Sequence, residues 1–536
     1  MKAAILKTMI VASAAAIFAA GCSKVSNMSG MDHSTMNMGS NTPVKLTTAT
    51  PVVDGKDFTI TAQESHLEVE KGKTVPVWTF NNSVPGPQIR VKVGDTVKVN
   101  LKNQLKQPVS IHWHGYPVPN NMDGIPGVTQ DAVEPGKTFT YEFKATVPGT
   151  YWYHSHQDSV NQVDKGLYGS LVVEDPQETV DRDYTLVLDE WMRSGEMYMS
   201  EADQPKNITP GDSGSMQMDM GNMDHENKGM SESDMSMNGD GMNMAGHDMS
   251  MYDLYTINGK TGDAIDKLSV KKGEKVKLRL INAGYITHKM HLHGHSFQVV
   301  ASDGQPLNDP SVIKDQLISI APGERYDIEF TADHPGSWLF EEHAENNRAQ
   351  NMRAVIQYDG SNAKPDPSNA SAELPDFDLE KYGTMSASAF SLDQTFDQDV
   401  TMNLNTEMRN GEMVYTINGK IFPDTDKINV KKGDQVKLTF VNQSKMDDHP
   451  MHLHGHFFQV LSKNGKPVQG SPIMKDTLNV KPGETYVVAF ESDNPGEWMF
   501  HCHDLHHASA GMVTDVMYKD YKNHYTPDPN VNNVPE

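Results

Sequence analysis

Tyr415-Thr416-Ile417-Asn418-Gly419-Lys420 is a sequence this chain uses twice. The same six residues stand 160 positions earlier, at Tyr255-Thr256-Ile257-Asn258-Gly259-Lys260. The same shift carries Pro322-Gly323-Glu324 onto Pro482-Gly483-Glu484 and Trp338 onto Trp498. An earlier, more diverged copy has Val93-Gly94-Asp95, Pro135-Gly136-Lys137, and Pro148-Gly149 leading into His154. Self-similarity at a fixed spacing marks repeated folded units, so three copies imply three similar domains. Each copy alternates apolar and polar residues with the period of a strand: Val97, Val99, Leu101; then Val276, Leu278, Leu280; then Val436, Leu438, Phe440. Pro-Gly and Asn-Gly turns punctuate these runs, and no long amphipathic helix interrupts them. The expected fold is all-β, three consecutive Greek-key β-sandwiches.

A chain of 536 residues has room for about three such domains. Residues 1–22 read as an export signal, with Lys2 and Lys7 before an alanine-rich apolar stretch that ends at Phe18-Ala19-Ala20-Gly21-Cys22. The stretch is too short for a permanent span. Residues 23–45, with Met28, Met31, His33, Met36 and Met38, read as a flexible tether. The domains are then expected at 46–178, 179–360 and 385–536, with a linker at 361–384. About 204–250 of the second domain is an insert dense in Met, Asp, Gly, Ser and Asn. It lacks the β-branched and aromatic residues that build a core.

Cys502 is the only cysteine after the leader, and it sits in His501-Cys502-His503, with His507 and Met512 following. A lone thiolate with two imidazoles and a weak thioether is the ligand set of a type 1 copper. On a strand, successive side chains point to opposite faces, so His501 and His503 face away from Cys502 and are free to hold other metals. Three further paired-histidine motifs supply partners: His112-Trp113-His114-Gly115, His154-Ser155-His156, and His449-Pro450-Met451-His452-Leu453-His454-Gly455.

Aligning the repeats shows which copies carry the thiolate. Ser155 stands where Cys502 does in the first copy, and Glu342 does in the second, where Asn347 also replaces His507. The second copy keeps His288, His291 and His293 in register with His449, His452 and His454. With no thiolate and no paired histidines from a partner domain, these three are expected to be structural relics.

The four motifs, their order and the three domains resemble the multicopper oxidases, a family that includes laccases, ascorbate oxidase and bacterial copper-tolerance oxidases. The resemblance covers nearly the whole chain after the leader, apart from the tether and the insert, and implies cupredoxin-like domains. It implies four copper ions. The type 1 copper would take His449, Cys502 and His507 with Met512 axial, and the type 2 copper His112 and His452. One type 3 copper would take His114, His154 and His503, the other His156, His454 and His501. A reducing substrate would give single electrons at the type 1 site, and they would pass through Cys502 to His501 and His503, where dioxygen is reduced to water. Asp123 matches an acidic position that relatives use for protons near the type 2 copper, although Asp123-Gly124 is also a turn signature. Ala508 departs from relatives that carry a carboxylate beside His507; Asp504 lies in that segment at a different offset.

Methionine thioether suits Cu(I). The insert therefore reads as a cuprous trap or a solvated linker, and Met446, Asp447 and Asp448, just before His449, as a docking site for Cu(I) beside the electron entry point. The expected function is cuprous oxidation in copper tolerance. The alternatives are a laccase acting on phenols or aromatic amines, and a copper-sequestering lipoprotein. A net charge of -25 argues against a nucleic-acid partner. The protein is expected to be an exported monomer, periplasmic or at the cell surface. It would be lipid-anchored at Cys22 if the leader is a lipoprotein signal rather than an ordinary cleaved one.

Overall fold

The computed structural model describes residues 51–192, 252–343, 351–365 and 373–536. The leader with Cys22, the tether, the insert 204–250 and Asn347 lie outside them. The described residues are nearly all β, with two short α-helices, Ser159–Asp164 and Leu505–Ser509.

Three pairs of sheets follow one another along the chain. Two four-stranded sheets are built from strands between Val52 and Glu174, a six- and a five-stranded sheet from strands between Arg182 and Tyr358, and a seven- and a five-stranded sheet from strands between Gln398 and Tyr518. Each pair closes over its own hydrophobic core. The second and third sandwiches share one strand order. In the third, Gln398–Arg409 pairs in parallel with Gln435–Asn442, which pairs antiparallel with Thr485–Glu491. In the second, Arg182–Trp191, Lys275–Asn282 and Arg325–Thr331 do the same.

The repeated hexapeptide makes a two-residue hairpin. Asn418 and Gly419 take φ of 53° and 72°, the left-handed pair that a type I′ turn needs, and Ile417 and Lys420 exchange backbone hydrogen bonds across it. Asn418 then ties the turn to the first strand: its Oδ1 accepts from the Asn403 N–H at 2.9 Å and its Nδ2 donates to the Thr401 carbonyl at 2.9 Å. Asn258 does the same with Val187 and Thr185. In the first sandwich the structural counterpart is Asn81, bonded to Thr61 and Thr59, in a turn where Asn82 replaces the glycine.

All nine alternating apolar residues named from sequence are fully buried. The polar face of Lys275–Asn282 is covered as well, with Lys277 and Arg279 only 7% and 2% exposed. The reason is electrostatic. Arg279 meets Asp183, Glu178 and Asp327, and donates to Thr150 Oγ1 of the first sandwich at 3.0 Å. A buried cation is tolerated when paired in this way.

Candidate metal centre

Strand register sorts the histidine-rich residues of the third sandwich onto two faces. His449–Leu453 pairs antiparallel with Glu497–Cys502, setting Met451 opposite Cys502 and His452 opposite His501. Cys502, Met451, Phe500 and Met512 point into the core, and the imidazoles of His452 and His501 therefore point the other way. After the strand, Asp504 caps Leu505–Ser509 by accepting from the His506 N–H at 3.1 Å, and this single turn of helix brings His507 back over Cys502.

The inward face collects one thiol and two imidazoles. Cys502 Sγ lies 3.5 Å from His507 Nδ1 and 3.8 Å from His449 Nδ1. Met512 is fully buried alongside; its carbonyl accepts from the Cys502 N–H and its N–H donates to the His507 carbonyl. Ser444 Oγ sits 2.7 Å from the far nitrogen of His449, and Tyr415 stacks on His507. Burial pushes the Cys502 thiol well above its ordinary range, and burial brings His449 and His507 each down to about 4. Neutral imidazoles facing a thiol that only a neighbouring cation could ionise fit a soft metal ion.

The outward face meets the first sandwich. His112 and His154 form a bridge there, and Trp113 between His112 and His114 is sunk in the first core. Eight imidazoles gather: His112, His114, His154 and His156 from the first sandwich, and His452, His454, His501 and His503 from the third, none more than 2% exposed. Rings of His114 and His452 stack at 3.8 Å, those of His112 and His454 at 3.9 Å, and His454 Nε2 is 3.0 Å from His501 Nε2. His156, His454 and His501 converge as one triad; His112 converges with His452 and His454, and also with His114 and His154. His503 packs against His114 at 4.5 Å between ring centroids and His154 at 5.4 Å.

Outer hydrogen bonds fix most of these rings. The Nδ1 atoms of His112, His154, His452 and His501 point to the carbonyls of Asp123, Ser155, Asp476 and Cys502 at 2.9–3.0 Å. That leaves Nε2 with its lone pair facing inward. The Nε2 atoms of His112, His154, His156, His452 and His503 and the Nδ1 of His114 have no hydrogen-bond partner. Buried polar atoms are rarely left so, and this many orphaned imidazole nitrogens in one interface fit a polynuclear metal cluster. Burial, with the neighbouring imidazoles, holds His114, His154, His454, His501 and His503 well below the usual range, so they are neutral ligands.

Carboxylates surround the cluster. Asp123 Oδ2 accepts from His454 Nδ1 at 3.0 Å, and its Oδ1 is 3.2 Å from His112 Nδ1. Three further groups escaped sequence reasoning. Asp476 lies 3.4 Å from both His114 and His452 and is gripped bidentately by Arg325 of the second sandwich at 2.6 and 2.7 Å. Burial alone would raise its carboxyl, but the Arg325 guanidinium brings it far below the carboxylate range. The repeat did carry a signal for it, since Asp476 follows Lys475 as Asp315 follows Lys314. Glu536 Oε1, which no motif pointed to, is 3.3 Å from His501 Nδ1. Gly323, inside a noticed Pro-Gly-Glu repeat, abuts His503 and His114.

Of the substrate-docking residues expected from sequence, Met446 is 74% exposed and Asp447 half-buried; Asp448 is half-buried too, with Oδ2 accepting from Asn479 Nδ2 at 2.8 Å. Asp504 Oδ2 is 3.3 Å from His507 Nε2. In the second sandwich Glu342 occupies the position of Cys502, and His288 sits between Glu342 at 2.8 Å and Glu190 at 3.1 Å. The same fold brings His343 to His291 and His293, and the three imidazoles form one group.

Multicopper oxidase family models match residues 61–178 and residues 216–361 and 393–522. The chain is 34% identical over 477 residues to multicopper oxidase MmcO of Mycobacterium tuberculosis, covering 86% of each. It is 26% identical to the copper resistance protein A homolog of Pseudomonas syringae pv. tomato, covering 87% of this chain and 93% of that one. A crystal structure of a multicopper oxidase from Pseudomonas thermotolerans superposes with a TM-score of 0.62 at 25% identity, covering 86% of this chain and 98% of that one.

Proposed function

Since the chain belongs to the multicopper oxidases, we propose that its reducing substrate is Cu(I), oxidised in copper tolerance at the His449 and Cys502 site while dioxygen is reduced to water at the eight-histidine cluster. As a member of the family it is an oxidoreductase with type 1, type 2 and type 3 copper. In this reading His449, Cys502, His507 and Met512 hold the type 1 ion and His112 and His452 the type 2 ion. His114, His154 and His503 hold one type 3 ion, and His156, His454 and His501 the other. Bound copper supplies one-electron chemistry at the first site and dioxygen reduction at the second.

The protein's own part is positioning. Cys502 is joined to His501 and to His503 by one peptide bond each, so the thiolate and the cluster ligands share a covalent path. The core around Cys502 excludes water, and Asp123 holds a hydrogen bond to His454 where protons are consumed.

The observation that carries the substrate is Met446. An exposed thioether three residues before a ligand histidine, with Asp447 beside it, suits a soft monovalent ion better than a phenol. The relatives named for copper resistance support the same reading. The insert 204–250 would feed Cu(I) to that edge. Oxygen uptake with Cu(I) and with a phenol tests this: Met446→Leu should raise the Cu(I) KM several-fold and leave phenol oxidation intact. Equal Cu(I) kinetics in parent and variant would leave the phenol-oxidising reading standing. The protein is proposed to be exported and lipid-anchored at Cys22, which mass spectrometry of the N-terminal peptide would test.

A further inference from the structure

We propose that the second sandwich holds one divalent cation of the imidazole-seeking kind, Zn(II) or Cu(II), between His291, His293 and His343, with Glu341 as carboxylate ligand. His343 Nε2 lies 3.3 Å from His291 Nδ1 and 3.3 Å from His293 Nε2. A ring nitrogen carries one proton or one lone pair, so this atom can satisfy only one of two imidazole nitrogens that approach it equally. A shared cation satisfies all three. Ligands about 2.0–2.1 Å from a tetrahedral ion stand roughly 3.3–3.4 Å apart, the spacing seen here.

The fourth donor is in place. Glu341 Oε1 is 2.9 Å from His293 Nε2 and 4.0 Å from His343 Nε2, yet it accepts no hydrogen bond. It is a buried polar atom of the kind that folded proteins pair. Asp315, half exposed, stands 3.5 Å from His291 Nε2, so a proton on that nitrogen leaves Nδ1 to face the cation.

Register explains why the cluster exists. His291 pairs with Glu341 as His452 pairs with His501, and Met290 with Glu342 as Met451 with Cys502. His291, His293 and His343 therefore occupy the places of His452, His454 and His503, with Glu341 at that of His501. The neighbouring position shows what a discarded site looks like. There Glu342 replaced the cysteine and His288 became fully hydrogen-bonded between two carboxylates. No such repair was made around His343. The site lies within one sandwich and does not depend on dioxygen chemistry.

The test uses the copper-loaded full chain. Equilibrium dialysis against micromolar Zn(II), and in parallel Cu(II), is followed by metal counting. The parent should retain one equivalent more than His291→Ala/His343→Ala, and the arm with the larger difference identifies the ion. The Cu(II) arm adds a spectroscopic readout: a further nitrogen-coordinated paramagnetic signal in the parent, beyond those of the type 1 and type 2 ions, that is missing from the variant. Glu341→Gln, which keeps all three imidazoles, should weaken binding at least tenfold. Should the double variant fold poorly, the single change His343→Gln, which keeps a polar side chain of similar size, replaces it, with the same difference expected. Equal uptake of both ions by parent and folded variant overturns the proposal.

Discussion

Gly323 of the second sandwich lies against His503 of the third. A Cβ built on it would stand 2.9 Å from the His503 ring and 3.1 Å from that of His114. Its repeat mate Gly483 has the same left-handed backbone, φ of 76° against 82°, with nothing within 4 Å of its Cβ position. The two glycines separate backbone strain from crowding. Both Gly→Ala changes should cost about 1–2 kcal/mol for the left-handed conformation, read in thermal unfolding. Only Gly323→Ala should also displace cluster imidazoles, with loss of cluster copper and at least a tenfold drop in oxygen uptake. Equal activity in the two variants would mean that the second sandwich does not shape the cluster.

Cys502→Ser should remove the blue thiolate band and oxidase activity while the eight interface histidines keep their copper, because Cys502 faces the core and they face the first sandwich. Metal analysis with absorption spectra checks it. Retained blue colour would contradict the assignment of the thiolate.

The difference between what could and could not be read in the sequence follows from range. Cys502 was legible because one cysteine stood among histidines at strand spacing, and the Asn-Gly hairpin because two residues define it. The first-sandwich copy of that hairpin was hidden, since Asn82 stands in for glycine and only the hydrogen bonds of Asn81 reveal it. The burial of Lys277 and Arg279 contradicts simple alternation because their partners come from outside their strand. Arg325 grips Asp476 across 151 positions, and Glu536 approaches His501 from the far end of the chain. No local pattern encodes either contact.

Asp123→Asn should keep copper content and slow dioxygen reduction on the order of 10²-fold, as loss of a positioned proton carrier does. The carboxylate bonds His454 and faces His112, while an amide cannot relay protons in the same way. Asp123→Glu should recover part of the rate. The discriminating measurement is steady-state oxygen uptake beside reduction of the type 1 site by substrate, which should be unchanged. Slowed type 1 reduction would instead point to a general structural defect.

His288 gives the second sandwich a pH dependence of its own. Burial alone would lower its pKa, but the charge of Glu342 and hydrogen bonds to Glu190 and Glu342 raise it to about 10. An unfolded histidine titrates near about 6.5. Between those values the folded chain holds a proton that the unfolded chain has released, so stability falls as pH rises. The contribution is complete below about pH 6.5 and is lost as pH passes through about 10. Denaturant unfolding at pH 7 and pH 10 should show a loss on the order of several kcal/mol in the parent. His288→Gln should be less stable at pH 7, because two buried carboxylates lose their cation, and its stability should change much less over the same interval. A parent whose stability is flat from pH 7 to 10 would show that His288 is neutral in the folded chain and that the Glu342 exchange did not create an ion pair.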